Sequence, residues 1–213
     1  MIMNKQVYNF IVKNNLFSIK SDKIILAISA GADSVCLFHI FRSLNVNMEL
    51  AHCNFKLRNK DSDEDEYFIK QLSEKYKVKI HIKSFETDSY SKENKVSIQV
   101  AARELRYNWF KSLLINRNAN YIATAHHKDD SIETFFINLV RGSGIRGLVG
   151  IKQTQKVIRP LLNIDKTQIL KFLHKNKFKY REDISNSSLN YLRNKIRIKL
   201  IPLLLELNPL IKE

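Results

Sequence analysis

Two hydroxyls, one carboxylate and one glycine fall together in Ser29-Ala30-Gly31-Ala32-Asp33-Ser34, where the apolar run from Ile24 breaks and a helix-like segment begins. A turn between a strand and a helix bares backbone N–H groups, and the guest they favour is an anion, most often a phosphate. Gly31 is expected to let the backbone turn tightly. Ser29 and Ser34 would share the grip on a pyrophosphate with the N–H groups of Ala30, Gly31 and Ala32, and Asp33 would reach a magnesium ion. The turn lacks the lysine of a Walker loop and the glycine spacing of a dinucleotide fingerprint. An ordinary strand-to-helix turn with Asp33 as N-cap is the alternative.

A second cluster, His126-His127-Lys128-Asp129-Asp130-Ser131-Ile132-Glu133-Thr134, sets two histidines at a strand end and three acids on the opening turns of a helix. Asp130 and Thr134 share one face of that helix, and Asp129 and Glu133 another. Acids complement a positive helix N-terminus, which accounts for one or two of them but not for the adjacent histidines. No further Cys or His stands at zinc-ligand spacing. Further on, RGSGIRGLVG holds four of the chain's five glycines with Arg141 and Arg146, a pattern suited to a loop closing over phosphates or an RNA strand. Gly142 alone reads equally well as a helix C-cap. Arg103 and Arg106 lie three apart on one expected helix, and Arg193 and Arg197 four apart on another.

Something must bring these groups together. Short apolar runs recur at Ile24–Ser29, Val46–Cys53, Val78–Phe85, Tyr121–Ala125 and Val157–Leu161, several rich in Ile and Val, as strands buried on both faces are. Helix-like stretches alternate with them at about 34–44, 62–76, 97–117 and 130–141. The pattern predicts an α/β fold, a Rossmann-like parallel sheet of about five strands with helices on both faces. The phosphate turn, Ala51-His52-Cys53 and Ala123-Thr124-Ala125-His126-His127 would then share the carboxyl edge, where such sheets bind ligands. Beyond Pro160 a helical extension is expected, with Asp165 as N-cap and Gln168 reaching back, and a last helix from about Tyr191 to Leu207 that Pro202 kinks or restarts. The division expected is 1–160 for the sheet domain and 161–213 for the helical extension packed on it.

Thirty-six Lys and Arg against 21 Asp and Glu leave a net charge of +15 and a pI near 9.8, favouring a polyanionic partner such as RNA. The excess of Lys, Asn and Ile also fits AT-rich coding. Cys36 and Cys53 form no CxxC pair and no disulfide framework, so a reducing cytoplasm is the default compartment, with no membrane anchor and no protein partner implied.

The turn resembles the SGGxDS pyrophosphate loop of N-type ATP pyrophosphatases, which cleave ATP between its α- and β-phosphates to adenylate a substrate. Five further stretches are similar to the tRNA(Ile)-lysidine synthetase branch of that superfamily: AHCNFKLRNKDSDEDEYF from Ala51, AARELRY from Ala101, ATAHHKDDSIETFFINLVRGSGIRGL from Ala123, RPLLNIDK from Arg159 and YREDISN through YLRNKIR from Tyr180. The resemblance implies ATP and magnesium as co-substrate and cofactor, and the isoleucine tRNA with a CAU anticodon and free lysine as partners. It implies ligation of lysine to carbon 2 of the first anticodon cytidine through an adenylated tRNA. It makes Asp33, Asp130, Arg103 and Arg197 the expected catalytic residues, with Asp130 holding the lysine amine. His52, Asn54, Arg58, Arg106, His126, His127, Asp129, Glu133, Arg141, Arg146, Arg193 and Asn194 are the expected substrate-binding residues. Ala30 stands where the family usually has a second glycine, and Phe55 and Lys56 replace its usual His-Gly. Many members continue into C-terminal tRNA-binding domains, whereas this chain stops at LNPLIKE, as a minimal form or a fragment would. The competing readings are a basic RNA-binding module with a degenerate loop, or another tRNA-modifying enzyme of the superfamily such as a thiolase.

Overall fold

The computed structural model describes residues 2–57, 60–182 and 192–211. Among them five parallel strands form one sheet: β1 (Ile24–Ala27), β2 (Met48–Asn54), β3 (Ile80–Ser84), β4 (Tyr121–Ala123) and β5 (Val157–Ile158), in the order β3-β2-β1-β4-β5. The order reverses at β1, which feeds the phosphate turn. Ile24 pairs with Met48 on one side and with Tyr121 on the other, so the three central strands start level with one another, and β2 runs on past the end of β1 to Asn54. Ile24, Ile25 and Leu26 are fully buried, as a central strand covered on both faces requires.

One core lies between the sheet and α1 (Ile2–Lys13), α2 (Ala32–Ser43), α3 (Lys60–Tyr76) and α7 (Lys166–Lys175). On the other face Trp109, Phe110 and Leu113 of α5 (Ile98–Asn116) pack on Ile25, Ala51 and Ile122. Leu161, Ile164, Ile169 and Leu173 belong to the first core, so the segment after β5 shares its apolar interior with β1 and α2. Asp165 caps α7 as its sequence predicts: its carboxylate accepts from Gln168 N–H at 2.8 Å, and Gln168 Oε1 accepts from Asp165 N–H at 3.0 Å.

Two helices lie outside the sequence expectation. α1 buries Met3, Val7 and Ile11, a spacing of four that makes one apolar stripe. α4 (Thr87–Glu93) is short and polar, tied down by Thr87 Oγ1 donating to Phe55 O. The C-terminal helix differs in kind: α8 (Leu192–Lys195) passes through a π-helical segment at Ile196–Leu200 into α9 (Ile201–Leu207), whose second residue is Pro202. Proline has no N–H to give the preceding turn, and a π turn just before it accommodates the missing bond.

Glu49 ties three outer positions to β2, accepting from Arg117, Lys23 and His81, and these partners hold its carboxyl well below the usual carboxylate range. His39 of α2 stacks on Phe178 at 3.5 Å between ring centroids. Burial first, then Arg42 and Lys75, lower its pKa from 6.5 to about 4. The unfolded chain therefore takes up a proton between those values that the folded chain refuses. The stabilisation is complete above pH 6.5 and is lost as pH falls toward 4. Urea melts at pH 7 and pH 5 should show a loss on the order of 1 kcal/mol from this residue. His39→Phe should remove that part of the loss; an unchanged pH dependence would refute the assignment.

Candidate functional site

The loop after β1 is held by its own hydroxyls. Ser34 Oγ accepts from Ser29 N–H at 3.1 Å and donates to Gly31 O at 3.0 Å, while the two serine hydroxyls lie 3.4 Å apart. α2 begins at Ala32 with Gly31 as N-cap, which places Asp33 and Ser34 in its first turn. Asp33 is therefore not the N-cap that an ordinary turn would make of it. The left-handed residue is Ala30, at φ +63°, and not Gly31, whose φ of −69° any residue adopts. A Cβ in that region costs of order 1 kcal/mol. Arg181 holds it in place: its N–H donates to Ala30 O at 3.0 Å, and its guanidinium pairs with Asp65 and Glu64 of α3, each at 2.7 Å.

A cleft of about 290 Å³ opens over this turn. Ser29, Gly31, Asp33 and Ser34 line one side, His126 and Asp130 another, and Arg106 a third. Ala27, Ala51, Cys53, Phe55 and Phe110 supply an apolar wall. Three separate motifs thus converge at the carboxyl edge of the sheet. Arg106 stands 5.2 Å from the centre of the Phe55 ring, which in turn stacks on Phe85. Phe55 and Thr124 are lining residues that sequence reasoning left out; only their places next to strand ends hinted at them.

The acids of α6 (Lys128–Val140) divide into different environments. Asp130 Oδ2 accepts from His127 N–H at 3.0 Å, and Oδ1 faces Arg197 at 3.8 Å. Asp129 Oδ2 accepts from Lys166 N–H at 2.8 Å, fastening α7 to α6. Glu133 is buried and takes both C-terminal arginines, Arg193 at 3.0 Å and Arg197 at 2.5 Å. Those arginines are thus committed inward, half-exposed, with Arg193 also donating to Thr134. Asn194 is buried between them in sequence.

His126 Nδ1 meets Thr124 Oγ1 at 2.9 Å, and burial lowers its pKa to about 4, against the opposing pull of Asp130. The ring is neutral at pH 7. His127 is buried, its Nε2 3.7 Å from Asp33 and 3.5 Å from Asp130. His52 is also buried and kept neutral by burial; its Nδ1 donates to Ile28 O at 2.9 Å, bracing β2 against the loop rather than lining the cleft. Asn54 donates to Glu66 and Asp63 and so pins α3 to the end of β2. Arg103 is exposed, 4.9 Å from the Tyr107 ring centre. Arg141 and Arg146 are exposed beside the glycines, away from the lining, and Gly142 takes the left-handed C-cap role at φ +73°. Arg58 lies outside the described residues. Arg159, which opens the RPLLNIDK stretch, is buried and bonded to Lys152 O and Val157 O.

The residue most clearly missed is Lys166. Its Nζ meets Asp33 Oδ1 at 2.6 Å, across 133 positions of sequence. RPLLNIDK contains it, but spacing alone does not show where a lysine head points.

A parallel sheet with a hydroxyl-lined turn after its central strand defines the class. The family model described as the PP-loop domain matches residues 2–204. Over 212 residues the chain is 43% identical to tRNA(Ile)-lysidine synthase of Bacteroides thetaiotaomicron, covering 99% of this chain and 50% of that one. It is 40% identical to tRNA(Ile)-lysidine synthase of Petrotoga mobilis, covering 98% and 68%. The chain spans about half the length of the first relative and about two thirds of the second. Among solved structures, U34-tRNA thiolase NcsA from Methanococcus maripaludis, with its [4Fe-4S] cluster, shares the fold at a TM-score of 0.76 and 18% identity, over 98% of this chain and 74% of that one. The chain belongs to the PP-loop family and, within it, to the tRNA(Ile)-lysidine synthases.

Proposed function

We propose that the chain carries the ATP-using, tRNA-adenylating centre of a lysidine-forming ligase. The observation that carries this reading is the single cleft shared by the Ser29–Ser34 loop, Asp130 and His126. Ala27, Ala51, Cys53 and Phe110 suit a nucleobase, and the loop N–H groups and hydroxyls suit the pyrophosphate of ATP. Among the described residues no three His, Cys, Asp or Glu converge on a metal cage. Magnesium needs none: it keeps most of its waters and takes one or two carboxylates with substrate phosphates, and Asp33, 30% exposed beside the loop, fits that requirement. When bound, the ion would neutralise charge on the departing pyrophosphate.

The attacking oxygen is the 2-carbonyl of the first anticodon cytidine. It is brought in line with the α-phosphate, and cationic groups spread the developing charge. AMP attached there converts a poor leaving group into a good one, and the ε-amine of free lysine displaces it. Lysine must attack as the neutral amine, and Asp130, a carboxylate of the cleft lining, would bind the incoming ammonium. Sulfur delivery would need a thiolate in the cleft. Cys53 lines it, but burial pushes that thiol up to about 12, and Cys36 is buried on α2 outside the cleft lining, which supports the ligase over the thiolase reading.

ATP–pyrophosphate exchange, with and without the CAU-anticodon isoleucine tRNA, tests the whole reading. Exchange that depends on the tRNA is expected. Tight tRNA binding with no exchange would instead mark a binding module with a degenerate loop.

The basic surface carries its own test. Arg103→Ala or Arg106→Ala should weaken tRNA binding and flatten its salt dependence by about 0.7–0.9 of a log–log unit for each phosphate that the side chain no longer neutralises. Binding insensitive to salt would assign the +15 charge to coding bias. Arg197 belongs to a different experiment, because its guanidinium is already spent on Glu133.

A further inference from the structure

Lys166 enters no step above, yet it makes the closest ion pair with the carboxylate assigned to the metal, at 2.6 Å. Its backbone is fixed, with N–H bonded to Asp129 Oδ2 and the capping box of Asp165 and Gln168 starting α7 at that residue. Its head is not fixed: the side chain is 40% exposed and turns on a four-carbon stem. A pair this open is worth little to stability, so it is poorly explained as a structural clamp. A divalent cation on the Asp33 carboxylate repels the ammonium beside it and weakens the carboxylate as that ammonium's partner. A cation on Asp33 therefore favours a move of the lysine head to another anion, and polyphosphate in the cleft that Asp33 lines is the anion within reach.

We propose that Lys166 is a travelling counter-ion: it neutralises Asp33 before nucleotide arrives and moves onto the polyphosphate when Asp33 takes the metal. The inference rests on the ATP reading of the cleft and deepens it. Without the lysine, Asp33 would attract divalent cations on their own, ordering metal before nucleotide. With it, metal and nucleotide enter together, and the displaced ammonium becomes a charge-assisted donor to a phosphate oxygen.

The test uses two ligands on the 213-residue chain: Mn2+ alone, followed by electron paramagnetic resonance, and α,β-methylene-ATP with Mn2+, followed by calorimetry. Lys166→Met is expected to tighten Mn2+ alone by about fivefold, since a competing cation has gone. The same variant is expected to weaken the nucleotide about tenfold or more, since a charged donor has gone. Lys166→Gln should show the same opposed signs, and Lys166→Arg should restore nucleotide affinity to within about threefold. Effects of the same sign on both ligands, or no effect on either, would overturn the proposal while leaving the ATP reading intact. A wild-type chain that binds no nucleotide would overturn the ATP reading itself.

Discussion

Asp33→Ala is expected to abolish tRNA adenylation, lowering pyrophosphate release at least 100-fold, while the chain melts within a few degrees of wild type. The two halves of that result have separate causes. Ser34 Oγ, Ser29 N–H and Gly31 O hold the turn among themselves, and none of those bonds includes the Asp33 carboxylate. Losing a charge from the first turn of α2 costs about 0.3–1 kcal/mol, and losing the open pair with Lys166 costs about as little. Removing the only carboxylate that the loop presents to the cleft, among the described residues, takes away the metal's anchor beside the departing pyrophosphate. Labelled ATP with thin-layer detection of pyrophosphate, beside a thermal melt of the same preparation, reads both halves. Near-normal release would remove Asp33 from the reaction.

What could be read in advance follows from how far apart the interacting groups lie in sequence. The five strands, their parallel run toward one edge and the capping box of α7 rest on local patterns: apolar runs, alternation with helices, and a carboxylate three residues from a glutamine. α1 carried a readable stripe at Met3, Val7 and Ile11, yet α4 has no apolar stripe to read and exists because the end of β2 holds it. Gly31 invited the assignment of the tight turn, but the strained position is Ala30, and the group that holds it is the N–H of Arg181. The same distance problem hid the ion pairs. Glu133 with Arg193 and Arg197 spans 60 and 64 positions, and Asp33 with Lys166 spans 133. Residue type marks such groups as chemical; only the fold says which of them meet. It also separates residues that the family resemblance grouped together, since His52 and Asn54 brace the scaffold while Asp130 and His126 face the cleft.

Asp130→Asn should let the enzyme form tRNA adenylate and then stall. The substitution is unusually selective at this position. Asp130 Oδ2 accepts from His127 N–H as part of the start of α6, and an asparagine carbonyl oxygen can keep that bond. What is lost is the negative charge of a side chain that lines the cleft and whose other oxygen lies 3.8 Å from Arg197. Arg197 remains bound to Glu133, so it gains no freedom that would rebuild the pocket. Taking an ammonium out of water without an acidic partner costs several kcal/mol, so the lysine requirement should rise at least 100-fold while ATP capture, which rests on the loop after β1, changes little. A single-turnover experiment separates the steps: ATP labelled at the α-phosphate is mixed with enzyme and tRNA, tRNA-bound AMP is measured, and lysine is then added. The mutant should accumulate the labelled adenylate and discharge it only at high lysine. If no adenylate forms, Asp130 serves the metal and ATP, together with Asp33, from which the buried ring of His127 separates it. If discharge is as fast as in wild type, the amine is received elsewhere. Asp129 and Glu133 are then poor substitutes, because the first is bonded to the α7 backbone and the second is buried under two arginines, and the search would move to the part of the relatives that this chain does not span.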